Sequence, residues 1–135
     1  MLGHLSLDVA DLAGSADYYR DVLGLLGFEP WERPGAFLCF RPSAGHRGPV
    51  VFVYAARVPG GRPAAVGAPG VGHLAFTVPD RASVRRVHAV VVAHGCVVVH
   101  EPQEFPEYPP PYYATFWVDP SGVRLEAVCH HDREG

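Results

Sequence analysis

The chain has 135 residues, 48% of them hydrophobic and 19% charged, with a formal net charge of -3. That is the composition of an ordinary globular domain with one real core, too short for two independent ones. The acidic balance, with no basic run longer than Arg85-Arg86, argues against a nucleic-acid partner, and no apolar stretch reaches membrane-spanning length.

The first predicted element is a strand. His4, Ser6 and Asp8 alternate with Leu5, Leu7 and Val9, so one face is apolar and suited to lie under a helix. A helix is expected from about Ala13 to Leu23, burying Ala16, Tyr19 and Leu23. Three strands follow, near 27–31, 36–40 and 50–56. A stretch rich in Gly, Pro and Ala then runs from Val58 to Gly70.

Beyond it the design repeats. Gly72-His73-Leu74-Ala75-Phe76-Thr77-Val78-Pro79-Asp80 aligns with Gly3-His4-Leu5-Ser6-Leu7-Asp8-Val9-Ala10-Asp11, sharing Gly, His, Leu, Val and Asp in register. Asp80 suits an N-cap, and Val84, Val87, Val91 and Val92 suit the apolar stripe of a second helix. Strands are expected near 96–100, 112–118 and 123–129, the last two joined by the turn Asp119-Pro120-Ser121-Gly122. Residues 101–111 read as a long proline-rich loop, placed to cover a cleft. The chain is thus two βαβββ modules, about 1–58 and about 70–130, joined by a Gly/Pro-rich linker.

Alternation places the chemistry. His4 and His73 lie on the strand faces opposite the helices. On the last strand Arg124, Glu126 and Val128 share a face. A carboxylate in an apolar strand costs several kcal/mol unless it is paired or bound to a cation. Two imidazoles and one carboxylate form the ligand set of a divalent metal site with open positions, suiting Fe, Mn, Ni, Co or Zn. A single inward histidine is more often a satisfied polar core residue. Two at equivalent points of a repeat, beside a lone buried Glu, favour ligation. Ser6 and Asp8 are expected to support His4. Phe52, Tyr54, Tyr108, Tyr113, Phe116 and Arg124 are expected to line a substrate pocket, while Trp117 is read as core. No residue is assigned a catalytic role.

The absences are also informative. There is no Lys, which excludes Schiff-base and P-loop chemistry. The lack of Lys, Asn and Ile points to a GC-rich bacterial genome. Three cysteines without CxxC spacing read as buried free thiols in a reducing compartment. No basic region and apolar run open the sequence as in a signal peptide, so a cytoplasmic location is expected.

Three segments carry a family resemblance: 72–78, 16–25 (Ala-Asp-Tyr-Tyr-Arg-Asp-Val-Leu-Gly-Leu) and 119–126 (Asp-Pro-Ser-Gly-Val-Arg-Leu-Glu). In order and spacing they resemble the vicinal oxygen chelate superfamily, which groups glyoxalases, bleomycin-resistance proteins and ring-cleaving dioxygenases. Residues 112–116 and 125–130 look closest to a bacterial glyoxalase-like subgroup. The resemblance implies an α+β fold of two βαβββ modules with curved mixed sheets around a shared cleft. It implies metal ligands at His4, His73 and Glu126, and a homodimer, with which the mean hydropathy of +0.07 agrees. Glyoxalase I members add a fourth ligand on the last strand of the first module. Here Phe52 holds that place and cannot coordinate a metal. The expectation is a metal-dependent lyase, dioxygenase or transferase that chelates a small organic substrate through vicinal oxygens. The alternative is a metal-free drug-sequestering protein of the bleomycin-resistance type.

Overall fold

A computed structural model describes residues 1–135. The chain forms two compact units, Met1–Arg62 and Pro63–Gly135. Each contains one helix and one four-stranded mixed sheet, so the fold is α+β in two βαβββ modules.

The first unit runs β1 (His4–Val9), α1 (Leu12–Leu25), β2 (Phe28–Pro30), β3 (Phe37–Pro42) and β4 (Val50–Ala55). Its strand order is β1-β4-β3-β2, with β1 parallel to β4 and the other pairs antiparallel. The Asp11 carboxylate starts α1 by accepting the Gly14 N–H at 2.9 Å, satisfying one of the orphan donors of the first turn. The buried face is Tyr18, Tyr19, Val22 and Leu23, an i, i+1, i+4, i+5 pattern that lays one stripe on β2, β3 and β4. Gly27, at φ +92°, ends the turn that follows, a left-handed conformation that costs glycine least. Along β1, Leu7 and Val9 are buried while His4, Ser6 and Asp8 are exposed, as strand alternation requires.

The second unit runs β5 (Leu74–Thr77), α2 (Arg81–Ala93), β6 (Val98–Glu104), β7 (Tyr113–Val118) and β8 (Arg124–Cys129). Its order, β5-β8-β7-β6, repeats the first sheet's, again with one parallel pair, β5 to β8. Asp80 caps α2, accepting both the Ser83 N–H and the Ser83 hydroxyl at 2.7 Å. Val84, Val87 and Val91 are fully buried against β6, β7 and β8. Val92 is not part of that stripe: it is half exposed, because it is one step, or 100°, past Val91 on the helix. Trp117 is completely buried, a core residue.

The expected loop 101–111 is shorter than its prolines suggest. Strand β6 continues through Pro102 to Glu104, with Gln103 opposite Ala114 and Glu104 opposite Tyr113. Register shifts between Val98 and His100, and between His100 and Gln103, let the strand carry a proline that cannot donate to the ladder. The remaining loop is closed by the Phe105 N–H donating to the Tyr112 carbonyl at 3.0 Å. It folds over the second sheet, with Phe105 buried among Ala114, Phe116 and Val128. No helix is long and apolar enough to cross a membrane.

Candidate metal-binding site

The register of the second sheet builds one row across all four strands. Ala75 pairs with Glu126, Glu126 with Phe116, and Phe116 with His100. Paired residues point the same way, so all four stand on the face opposite α2. His73 precedes β5 directly and lies two residues from Ala75, hence on the same face.

Glu126 is fully buried. Its Oε1 accepts a 2.5 Å hydrogen bond from the Tyr112 hydroxyl. Its Oε2 has no hydrogen-bond donor. The His73 Nε2 lies 3.1 Å from that oxygen, within ion-pair range but without the alignment of a hydrogen bond. Burial, followed by the bond to Glu126, pushes the Tyr112 phenol above its ordinary range, so Tyr112 stays a neutral donor at physiological pH. A buried carboxylate oxygen with no donor is costly. An imidazole nitrogen beside it completes a pair of metal donors. Two donor atoms about 2.1 Å from one ion, at 90–110° to each other, are about 3.0–3.4 Å apart. The His73–Glu126 pair therefore fits a divalent ion.

Aromatic rings pave the surroundings. Phe116 lies 5.8 Å from the His73 ring, 5.5 Å from His100 and 5.3 Å from Phe105. Tyr112 packs on Tyr108 at 4.8 Å and on His130 at 5.1 Å. Tyr108 and Phe116 are thus drawn into one patch around Glu126. Tyr113 is not. Its ring lies under the Arg81 guanidinium at 4.9 Å, because its partner Cys129 is out of phase with Glu126. Its neighbour Tyr112 takes the place expected of it. His100, which alternation alone did not single out, joins through its pairing with Phe116. The signal available for it was the register of β6, hidden by the bulges.

The first unit carries the parallel set. Ser6 pairs with Phe52 as Ala75 pairs with Glu126. Phe52 is therefore the register equivalent of the Glu126 carboxylate, and the His4 ring meets it edge-on at 5.8 Å. Phe52 stacks on Tyr54 at 5.9 Å, and Phe37 lies 5.4 Å from Tyr54. This face holds aromatic rings where the second unit holds a carboxylate. Ser6 and Asp8 make no bond to His4; side chains two residues apart on a strand stand about 6.5 Å from each other. Across the whole chain no group of three or more His, Cys, Asp or Glu side chains gathers to hold a metal. The structure brings two of the three expected ligands together, His73 and Glu126, and His4 lies in the other unit.

A family model, the Glyoxalase/Bleomycin resistance protein/Dioxygenase superfamily, matches residues 1–127. The chain belongs to this superfamily. Among solved structures it is similar to a candidate glyoxalase from Bacillus halodurans, with 23% identity, 96% of this chain and 95% of that one covered, and a TM-score of 0.75. It is similar to a glyoxalase/bleomycin resistance protein from Albidiferax ferrireducens T118, at 25% identity, 96% and 98% coverage and a TM-score of 0.73. It is also similar to a lactoylglutathione lyase from Agrobacterium tumefaciens, at 22% identity, 96% and 92% coverage and a TM-score of 0.61. Likeness at this level of identity establishes the two-module fold. No curated protein sequence matches the chain.

Proposed function

We propose that this superfamily member is a metal-dependent enzyme acting on a small organic substrate that chelates the metal through neighbouring oxygens. The observation that carries the reading is the buried Glu126 carboxylate, whose Oε1 is held by Tyr112 while its Oε2 lacks a donor beside His73 Nε2. His73 and Glu126 are two ligands of the proposed site. His4, the third ligand expected from the sequence, belongs to the first unit. When bound, a divalent ion supplies Lewis-acid stabilisation of negative charge on substrate oxygens. Tyr112 fixes which carboxylate oxygen stays available. Phe116, Phe105 and Tyr108 exclude water from the carboxylate and raise the strength of every polar contact there. The equivalent position in the first unit is Phe52, so the chain offers no second carboxylate there to act as a base or ligand. That separates the proposal from a lactoylglutathione lyase mechanism using such a base.

The test is elemental analysis of untagged protein, chelator-treated and reloaded. About one divalent ion per site is expected, falling at least tenfold in affinity in Glu126→Gln, which keeps shape and removes charge. Equal metal content in the two proteins overturns the proposal. A second reading, a metal-free sequestering protein, draws on the half-buried aromatic face of Phe37, Phe52 and Tyr54. It predicts metal-independent binding of a flat ligand and quenching of tyrosine emission.

A further inference from the structure

The second unit contains a cavity of about 520 Å³ beside His73, a size typical of small-molecule sites. Residues 63–72 form one wall. The β7–β8 turn and the start of β8 form the other. The turn is rigidly built: the Asp119 N–H donates to the Val123 carbonyl at 2.9 Å, and an Asp119 carboxylate oxygen accepts the Ser121 N–H at 2.7 Å. The linker closes onto it tightly. A Cβ on Gly122 would meet the Pro63 ring at 2.2 Å, so the glycine is what admits that wall.

Most of the lining is apolar, including Val66, Val71, Val118 and Val123. Three polar side chains interrupt it: His73, Ser121 and Arg124. Arg124 is partly buried and makes no ion pair or hydrogen bond. Arg81, by contrast, has Glu104, Asp132 and Glu134 around it. Ser121 Oγ is buried without a hydrogen-bond partner. An unpaired, partly buried guanidinium and a buried, unpartnered hydroxyl border one largely apolar cavity, a combination that suits an anionic ligand.

We propose that Arg124 and Ser121 bind the carboxylate of a short monocarboxylic acid whose apolar body fills the linker-walled cavity. The guanidinium fork matches a planar carboxylate through two parallel hydrogen bonds. A dianionic phosphate or phosphonate calls for more positive charge than one arginine supplies. Arg124 is the only arginine on the cavity, and the chain has no lysine. Arg124 and Glu126 share a face of β8 two residues apart, so their Cα atoms are about 6.5 Å from each other. His73 borders the cavity and also meets Glu126. A molecule anchored on Arg124 therefore extends toward the proposed metal ligands. As a statement about substrate class this rests on the proposed function; as a statement about anion binding it does not.

The experiment uses the full, untagged, chelator-treated protein and titrates it with pentanoate, pentanamide and propylphosphonate, followed by calorimetry or ligand-observed NMR. Saturable millimolar or tighter binding of pentanoate is expected, with pentanamide weaker by about tenfold or more because it lacks the charge. Arg124→Gln should weaken pentanoate by about tenfold or more, Arg124→Lys by less, and Ser121→Ala by about threefold to tenfold. Circular dichroism and melting curves identify any variant that fails to fold, and in that case Ser121→Ala carries the test. The inference is overturned by three results: no saturable pentanoate binding, equal binding of acid and amide, or unchanged affinity in Arg124→Gln. Tighter Arg124-dependent binding of propylphosphonate overturns the carboxylate assignment in favour of a phosphonate or phosphate. Because these titrations need no metal, failed metal uptake alongside Arg124-dependent pentanoate binding refutes the proposed function and leaves the anion site standing. The opposite pattern refutes only the anion site.

Discussion

Tyr112→Phe removes one oxygen from the protein, the donor held 2.5 Å from Glu126 Oε1. The ring contacts with Phe105, Tyr108 and His130 remain available to phenylalanine, so packing changes little. What changes is the carboxylate. Glu126 is fully buried and its other oxygen already lacks a donor, so the variant leaves both oxygens unsatisfied. A hydrogen bond to a charged group is worth about 1.5–3 kcal/mol. With an unfolding entropy of about 2 cal/mol/K per residue, a 135-residue chain loses about 3–4 °C of melting temperature per kcal/mol, hence about 5–10 °C here. The same loss frees the carboxylate to rotate, and outer-shell substitutions of this kind reduce metal affinity about 10- to 100-fold. Thermal melts of the metal-free protein and competition titrations with a chelating dye measure the two effects separately. A double-mutant cycle with Glu126→Gln should return a coupling energy of about 1–2 kcal/mol, since the bond to a neutral amide is weaker. A variant that melts within about 1 °C of wild type and binds metal within about twofold would show that the Tyr112–Glu126 contact contributes nothing, contrary to the charged-bond magnitude.

Three further outcomes are expected. The hydroxyl and amide of Ser83 hold the Asp80 carboxyl below its usual range, so its contribution to stability is present above the ordinary carboxyl pKa and lost as pH falls through the lowered one. Asp80→Asn should therefore flatten the acid limb of the stability profile below about pH 4 while keeping α2 capped; parallel acid limbs in urea melts would refute this. Gly122→Ala should cost at least about 1–2 kcal/mol in urea denaturation, because φ is +82° there and the new methyl meets Pro63; an unchanged midpoint would contradict it. The protein should be a homodimer, with light scattering giving twice the 14.6 kDa of one chain; the single-chain mass at micromolar concentration would refute that.

Much of this molecule follows from local pattern. A strand has only two faces, so the alternation in 4–9 and 124–129 fixed which side chains lie under a helix and which do not. The repeat of Gly-His-Leu at 3–5 and 72–74 made the two modules and their histidines equivalent; that Phe52 occupies the position of Glu126 is given by the strand register. Caps at Asp11 and Asp80 acted locally, through side chains reaching amides three residues on. Other features depended on contacts distant in sequence. Strand β6 runs through Pro102 because bulges absorb the missing donor, and only the partner strand decides where a bulge falls. Tyr112 and Tyr113 are adjacent, and a one-residue change of phase sends one to Glu126 and the other beneath Arg81. Tyr112 lies outside the strand, and its phenol is aimed by the loop closure at Phe105 rather than by alternation. The unpaired state of Arg124 and Ser121 is likewise tertiary. The linker forms one wall of the cavity beside the β7–β8 turn, and Ser121 Oγ is buried there without a partner, while the partly buried Arg124 side chain finds no acidic group opposite it. Sequence pattern reports the period of one element, whereas desolvation and pairing are set by whatever another element brings against it.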